Sequence, residues 1–374
     1  MLLRRAGVVV PIAACAAVVS LAHAGPALSG TGAVMTVPGA VRALSAAGGR
    51  IAWIGADRQL YVLRVASGRQ TAVQFTQERY VNRDDPFAEA PELAFAGSHP
   101  VWGDARGRPE VLQSVYTTDA YGRLRALARL RHYGGAAGGA GDYLLSIAGD
   151  AAGGAFSWGH EELVAQGGGR TTAGGVWTLT DGIKRRVPNL PPAWALARSG
   201  TRLALAPVRA DEDDVPLPET DPSNPQVELA TVTGKLITSF RAKYDVQALA
   251  LTPRYLFVEE AQENGSHGGM EIHSAITGRL LRWLPGKGGP YLSASGGHVV
   301  FWSQSKVFAL DGATGKITRI AVVPSAHSSV VGASLDGDTV YWATATKTPH
   351  SRGDADNPAD FTTTIHERRL SDSR

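Results

Sequence analysis

Two acidic runs are the first places where this chain carries residues that could do chemistry. Asp211, Glu212, Asp213 and Asp214 are consecutive, and Asp354, Asp356 and Asp360 lie close together with Asn357 between them. Oxygen ligands at this density suit Ca²⁺, which favours carboxylates on flexible loops. They equally suit a cationic partner. The second run begins like a calcium loop, but Pro358 stands where a ligand is expected and the glycine is missing. Arg352-Gly353-Asp354 spells an integrin-binding tripeptide and is read as coincidence. Glu161, Glu162, Asp84, Asp85 and Glu259 are the acid–base candidates, since proton transfer needs positioned carboxylates. His160-Glu161-Glu162 has no second histidine at zinc-ligand spacing, and neither a P-loop nor a G-x-S-x-G elbow occurs. The glycines from Gly134 to Gly141 link no strand to a helix, so they are no dinucleotide fingerprint. No cofactor is expected beyond Ca²⁺ at one of the acidic runs. His99, His298 and His327 are isolated and read as polar edge residues.

Local motifs being absent, function depends on the elements that bring distant residues together. The clearest of these is Tyr291 to Val323, four alternating runs separated by Gly296-Gly297, a short link and Thr314-Gly315-Lys316. Runs of β-branched and aromatic residues bounded by such links read as strands of an antiparallel meander. An alternating run, a Gly-bearing turn and a second run often ending in Trp recurs at Ala43–Trp53, Leu93–Trp102, Leu144–Trp158, Ala193–Ala206, Val246–Val258 and Val330–Trp342. That makes roughly seven copies at a spacing of about 40–50 residues, in the range of propeller blades. A β-sandwich also has frequent turns, but it does not explain a four-strand super-period. The expected fold is all-β: a β-propeller of about seven four-stranded antiparallel blades.

The second half of the unit also repeats. Leu60–Val73, Val227–Phe240, Met270–Trp283 and Val307–Ile320 each carry a small-Gly-basic turn. Val307-Phe308-Ala309-Leu310-Asp311 followed by Thr314-Gly315-Lys316 resembles the blade repeat of the quinoprotein-like (PQQ-like) propellers, within the wider group that includes WD40-like rings. The match is good in this blade and partial elsewhere. The adjacent cysteine pair and usual length of quinoprotein dehydrogenases are lacking, so the resemblance implies a fold and no cofactor.

The chain opens with Arg4-Arg5, a nearly uncharged run from Ala6 to Ala22, and Ala22-His23-Ala24. This is the order of a secretory signal peptide, with cleavage expected after Ala24. The alternatives are a membrane anchor, for which the run is short, and a lipoprotein modified at Cys15, the one cysteine. Membrane contact is expected only through these segments. Residues 25–32 read as a linker, 33–370 as one propeller domain and 371–374 as a tail. Removing Arg4 and Arg5 lowers the formal charge from +3 to +1. Nucleic-acid binding, which needs a clustered basic footprint, is therefore not expected. The expected location is secreted or extracytoplasmic, and the protein is expected to be monomeric.

Ala33 to Val37 is a lone strand at the start, and the last blade, Val330 to Leu370, shows only three strands. Pairing Ala33–Val37 with Thr362–Leu370 would complete that blade and close the ring. In such a meander the b–c and d–a connections (strands a to d counted from the axis outward) share one face. The long segments Thr76–Ala90, Arg131–Asp142, Gly159–Thr172, Arg209–Pro225, Ala261–Gly269 and Thr346–Asp360 all fall on it. Tyr133–Gly141 and Val215–Pro225 read as disordered by composition. The long-loop face is acidic, through the two runs above and through Glu259, Glu260 and Glu263. The opposite face collects Arg69, Arg123, Lys184, Lys235, Arg279 and Lys316. Two functions are weighed: an exported, non-catalytic propeller that binds a protein, peptide or glycan through its long-loop face, and a secreted hydrolase or lyase with its site in the central funnel. Trp53, Trp102, Trp158, Trp302 and Trp342 recur with the blade period, which points to packing between blades ahead of a stacking platform.

Overall fold

The computed structural model describes residues 32–373, except 58, 75–91, 107–109, 134–139, 164–168, 209–226, 262–266, 290, 304, 324–326 and 354–356. It is a ring of seven four-stranded antiparallel blades. Blade 1 consists of Ala43–Ala47, Arg50–Ile54, Gln59–Arg64 and Arg69–Gln74, in that order from the axis outward. Blade 2 follows with Leu93–Ala96, His99–Arg106, Glu110–Thr118 and Leu124–Tyr133, and blade 3 with Ala140–Asp150, Gly153–Leu163, Gly169–Thr180 and Ile183–Arg186. Blade 4 is Ala193–Ser199, Arg202–Pro207, Val227–Thr231 and Leu236–Phe240. Blade 5 is Asp245–Leu251, Tyr255–Ala261, His267–Ser274 and Leu280–Pro285, and blade 6 is Leu292–Ser295, His298–Ser303, Lys306–Asp311 and Ile317–Val322. Blade 7 contains Ser328–Asp336, Thr339–Lys347 and Phe361–Arg369, with Gly32–Pro38 as its outer strand.

Ring closure by the first strand is thus as the sequence suggests. The register runs from Gly32 opposite Glu367 to Pro38 opposite Thr362. The pairing uses up the edge that three strands would leave open.

Seven apolar clusters hold the ring, one at each interface between neighbouring blades. At the closing interface Leu44, Ile51 and Trp53 of blade 1 meet Tyr341, Ala343 and Ile365 of blade 7. Each blade offers alternate residues to its two neighbours, so every blade is buried on both faces. The recurring tryptophans serve this packing. Trp53, Trp102 and Trp342 are buried, and each sits opposite an aromatic ring of strand c: Trp53 on Tyr61, Trp102 on Tyr116 and Trp342 on His366. Phe156 on Trp177 and Phe301 on Phe308 fill the same cross-strand position in blades 3 and 6. Such pairs stabilise a sheet beyond the area they bury.

Two expectations about connections need correction. Gly159–Thr172 is no loop: strand b continues to Leu163 and strand c starts at Gly169, so blade 3 extends a long two-stranded arm. Tyr133–Gly141 is not wholly linker either. Tyr133 pairs with Ala140, and His132 with Gly141, joining blades 2 and 3 into one eight-stranded sheet. In both places the partner strand supplies backbone hydrogen bonds to glycines that have little propensity of their own. Val215–Pro225 lies outside the described residues.

Candidate functional site: the axial channel and its long-loop rim

The seven inner strands surround an axial channel of about 220 Å³. Its walls are chiefly small residues, among them Ser45, Ala94, Ala148, Ala197, Ala294 and Ala333. Small side chains are what seven converging strands can accommodate at the axis. The polar groups that line it are drawn into the ring itself. Asp150, which ends the inner strand of blade 3, accepts from Ala152 N at 2.8 Å and Gly153 N at 3.0 Å through Oδ1, and from Gly200 N of blade 4 at 2.5 Å through Oδ2. Asp336 ends the inner strand of blade 7 and accepts from Gly49 N of blade 1 at 2.7 Å. Ser295 of blade 6 accepts from Gly337 N of blade 7 at 2.9 Å. The same device thus appears three times: the last residue of one inner strand clamps the a–b turn of the next blade. Arg198 of blade 4 does the reverse, donating to the carbonyls of Gly154 and Leu179 and to Thr180 Oγ1 of blade 3.

The other end of the channel, on the long-loop face, is different. There the inner strands of blades 3, 4, 5 and 7 each hold one extra residue: Leu145, Trp194, Gln247 and Val331. Each lies four or five residues before the end of its strand, so the four β-bulges stand at one level of the ring. A bulge re-aims the side chain it carries and is common at barrel rims and beside functional sites. Trp194 is 38% exposed as a result. Tyr291, at the corresponding level of blade 6, is 51% exposed and stacks on Trp302 with ring centroids 5.2 Å apart. Gln247 between them is exposed. This arc of two large rings flanking an amide offers stacking surface and hydrogen bonds at the channel mouth.

The carboxylates singled out in the sequence behave otherwise. Asp211, Glu212, Asp213, Asp214, Asp354 and Asp356 lie outside the described residues, as do Asp84 and Asp85. The strand ends flanking 209–226 and 348–360 open onto the long-loop face. Asp360 is buried; its Oδ2 accepts from Arg352 N at 2.8 Å and its Oδ1 from Asn357 Nδ2 at 2.9 Å. It organises its own loop. Glu161 and Glu162 sit on the blade 3 arm, opposite Thr171 and Arg170. No group of three or more metal-ligating side chains occurs among the described residues.

Glu259 is buried against the segment joining blades 5 and 6, where a Cβ on Gly288 would overlap its carboxyl. Burial pushes this carboxyl up to about 8, against the opposing Gly289 N–H and with a further rise from Glu260. Sealed in this way, it faces no substrate. Glu260, expected with Glu259 on the acidic long-loop face, is likewise buried, and with Glu271 and His273, which sequence reasoning missed, it forms a polar row on the opposite side of blade 5. Glu260 accepts from Lys243 N at 2.8 Å. Glu271 Oε2 lies 2.7 Å from His273 Nε2, and His273 Nδ1 lies 2.8 Å from the Gly278 carbonyl oxygen. That carbonyl only accepts, so Nδ1 carries a proton. The alternation Glu260–Val258–Leu256 in strand b is the signal that could have placed Glu260 on this face.

No family model matches the chain, and no curated protein matches it. Among solved structures it is similar to the computationally designed Ika8 protein, at 13% identity and a TM-score of 0.47 over 90% of this chain and 98% of that one. It is also similar to a chain in the crystal structure of a mitotic checkpoint complex, at 12% identity and a TM-score of 0.48 over 95% of this chain and 97% of that one.

Proposed function

We propose that this protein is an exported binding propeller of the quinoprotein-like group, taking a protein, peptide or glycan on its long-loop face. One observation carries the reading: the two carboxylates that line the axial channel, Asp150 and Asp336, are engaged by backbone amides of neighbouring blades, while Trp194 and Tyr291 stand exposed at the mouth. Acid–base chemistry at the axis needs carboxylates free to meet a substrate; recognition needs exposed rings and a polar group between them. The basic start, apolar run and Ala22-His23-Ala24 of the N-terminus support export, and the Thr314-Gly315-Lys316 turn, with Asp311 accepting from Ala313 N and Thr314 N, supports the group assignment. The two acidic runs fit a cationic partner or Ca²⁺ on the same face.

The test is capture from culture supernatant with the chain from Gly25 onward as bait, alongside Trp194→Ala/Tyr291→Ala. A specific protein or glycan retained by the parent and lost by the variant is the expected result. Equal retention by both, or turnover of the captured molecule, would overturn the reading.

A further inference from the structure

The face opposite the long loops carries a second pattern. In blades 2, 4, 5 and 6 the c–d turn has one design. A residue with a side-chain oxygen stands at the end of strand c, a glycine takes a positive φ, and a cation immediately precedes strand d. In blade 6 Gly315 N donates to Asp311 O at 2.8 Å and Asp311 N to Lys316 O at 3.0 Å. In blade 5 Gly278 N donates to Ser274 O at 2.8 Å and Ser274 N to Arg279 O at 2.9 Å. Gly234 with Thr231 and Lys235, and Gly122 with Asp119 and Arg123, repeat the closure in blades 4 and 2. Only glycine takes this turn conformation without strain. The consequence is a cation at one level of the rim in four blades. Blade 3, with the shorter Asp181-Gly182 turn, presents Lys184 there. Lys235, Arg279 and Lys316 are exposed and form no ion pair among the described residues.

Large apolar side chains stand beside these cations. Tyr121 is 84% exposed and Ile276 57%, and Leu124, Ile183, Leu236, Leu280 and Leu281 are also exposed. Among the described residues, seven of the ten exposed large hydrophobic side chains therefore lie in, or just after, the c–d turns of blades 2 to 5. Single exposed apolar residues need no explanation; a concentration on one rim marks an interaction surface.

We infer that the tight-turn face docks on the surface of an anionic lipid bilayer. Charge complementarity and shape favour this occupant. The cations are spread around a rim, and those of blades 2 to 5 stand beside an exposed aliphatic or aromatic tip. Interfacial binders have this composition: cations meet phosphate headgroups while apolar tips enter the acyl boundary. An acidic protein would match the charges but would need a separate pocket for each tip. Docking in this pose turns the channel mouth and long loops away from the bilayer. The inference is independent of the ligand proposed for that opposite face.

The experiment is vesicle co-sedimentation with the chain from Gly25 onward, which keeps the whole ring because the first strand starts at Gly32. Vesicles of phosphatidylcholine alone are compared with vesicles containing phosphatidylglycerol, at low and high salt. Binding is expected only with the anionic lipid and should weaken with salt. Lys235→Gln/Arg279→Gln should weaken it roughly 30-fold, at about fivefold per cation. Ile276→Ser/Leu280→Ser should weaken it at both salt concentrations, and circular dichroism melts confirm that each variant is folded. A Lys235→Arg control should bind like the parent. Equal sedimentation with neutral and anionic vesicles, no sedimentation, or folded variants that bind like the parent would overturn the inference. So would binding to heparin without binding to vesicles, which would assign the face to an acidic polymer.

Discussion

The carboxylate of Asp336 accepts a hydrogen bond from the backbone N–H of Gly49 at 2.7 Å, across 287 residues of sequence. It ties blade 7 to blade 1 at the channel, while the pairing of Gly32–Pro38 with Phe361–Arg369 ties the same blade at the rim. Ring closure thus has two separate parts, one at the axis and one at the outer edge.

These parts should differ greatly in weight. Asp336→Ala removes one hydrogen bond from a partly exposed site and should cost about 1 kcal/mol. Deleting residues 25–38 leaves Phe361–Arg369 as an open edge and strips Val34, Met35 and Val37 from the closing cluster. The truncated protein should melt at a much lower temperature and aggregate with increasing concentration. Thermal melts and light scattering read both effects. A truncation that melts and behaves like the parent would show that the first strand contributes nothing to closure.

Glu260 should make the protein less stable as pH rises. Burial, then the charge of Glu271, pushes its carboxyl up to about 8, against the N–H groups of Lys243 and Tyr244 and the Lys243 charge. In the unfolded chain a glutamate titrates near 4.3. Between about 4.3 and 8 the folded state therefore holds a proton that the unfolded state has lost, so unfolding free energy falls through this window and levels off above it. Glu259 acts in the same direction. Urea midpoints measured from pH 5 to pH 9 should fall for the parent and fall less steeply for Glu260→Gln. Parallel profiles would mean that Glu260 is ionised in the fold.

The cross-strand rings should couple. Trp53 and Tyr61 stack at 5.3 Å with 14° between their planes. Trp53→Ala should cost about 3–5 kcal/mol. A double-mutant cycle with Tyr61→Ala should return about 0.5–1.5 kcal/mol of interaction beyond buried area. Strict additivity would reduce the recurring Trp to a space-filler.

The two faces should respond separately. Neutralising Asp211, Glu212, Asp213 and Asp214 together should weaken capture of a cationic partner at low salt, with little effect at high salt, and leave the melting temperature within a degree or so. Lys235→Gln/Arg279→Gln should leave partner capture unchanged while weakening vesicle binding. Affinity measured for both sets at both salt concentrations decides this. The opposite assignment of effects would place ligand binding on the tight-turn face.

The blade repeat was readable because its signals are local. The Asp311 to Lys316 turn closes through residues at most five positions apart, and the alternation in His298–Ser303 is complete within one strand. The unpaired ends of the chain were also visible, since a meander lacking one strand leaves a countable defect. What only the tertiary structure decided depends on partners distant in sequence. Trp194 reaches the channel mouth because one residue slips out of register with Arg202–Pro207, and no local pattern marks that slip. The glycines of 159 and 169 extend as strands because each finds a partner across the blade 3 arm. Glu260 and Glu271 lie within two strands of one blade, yet their burial is set by the neighbouring blade, which carries Phe240 against His273. Sequence periodicity determines which residues alternate; the packing of the next blade determines what each face meets.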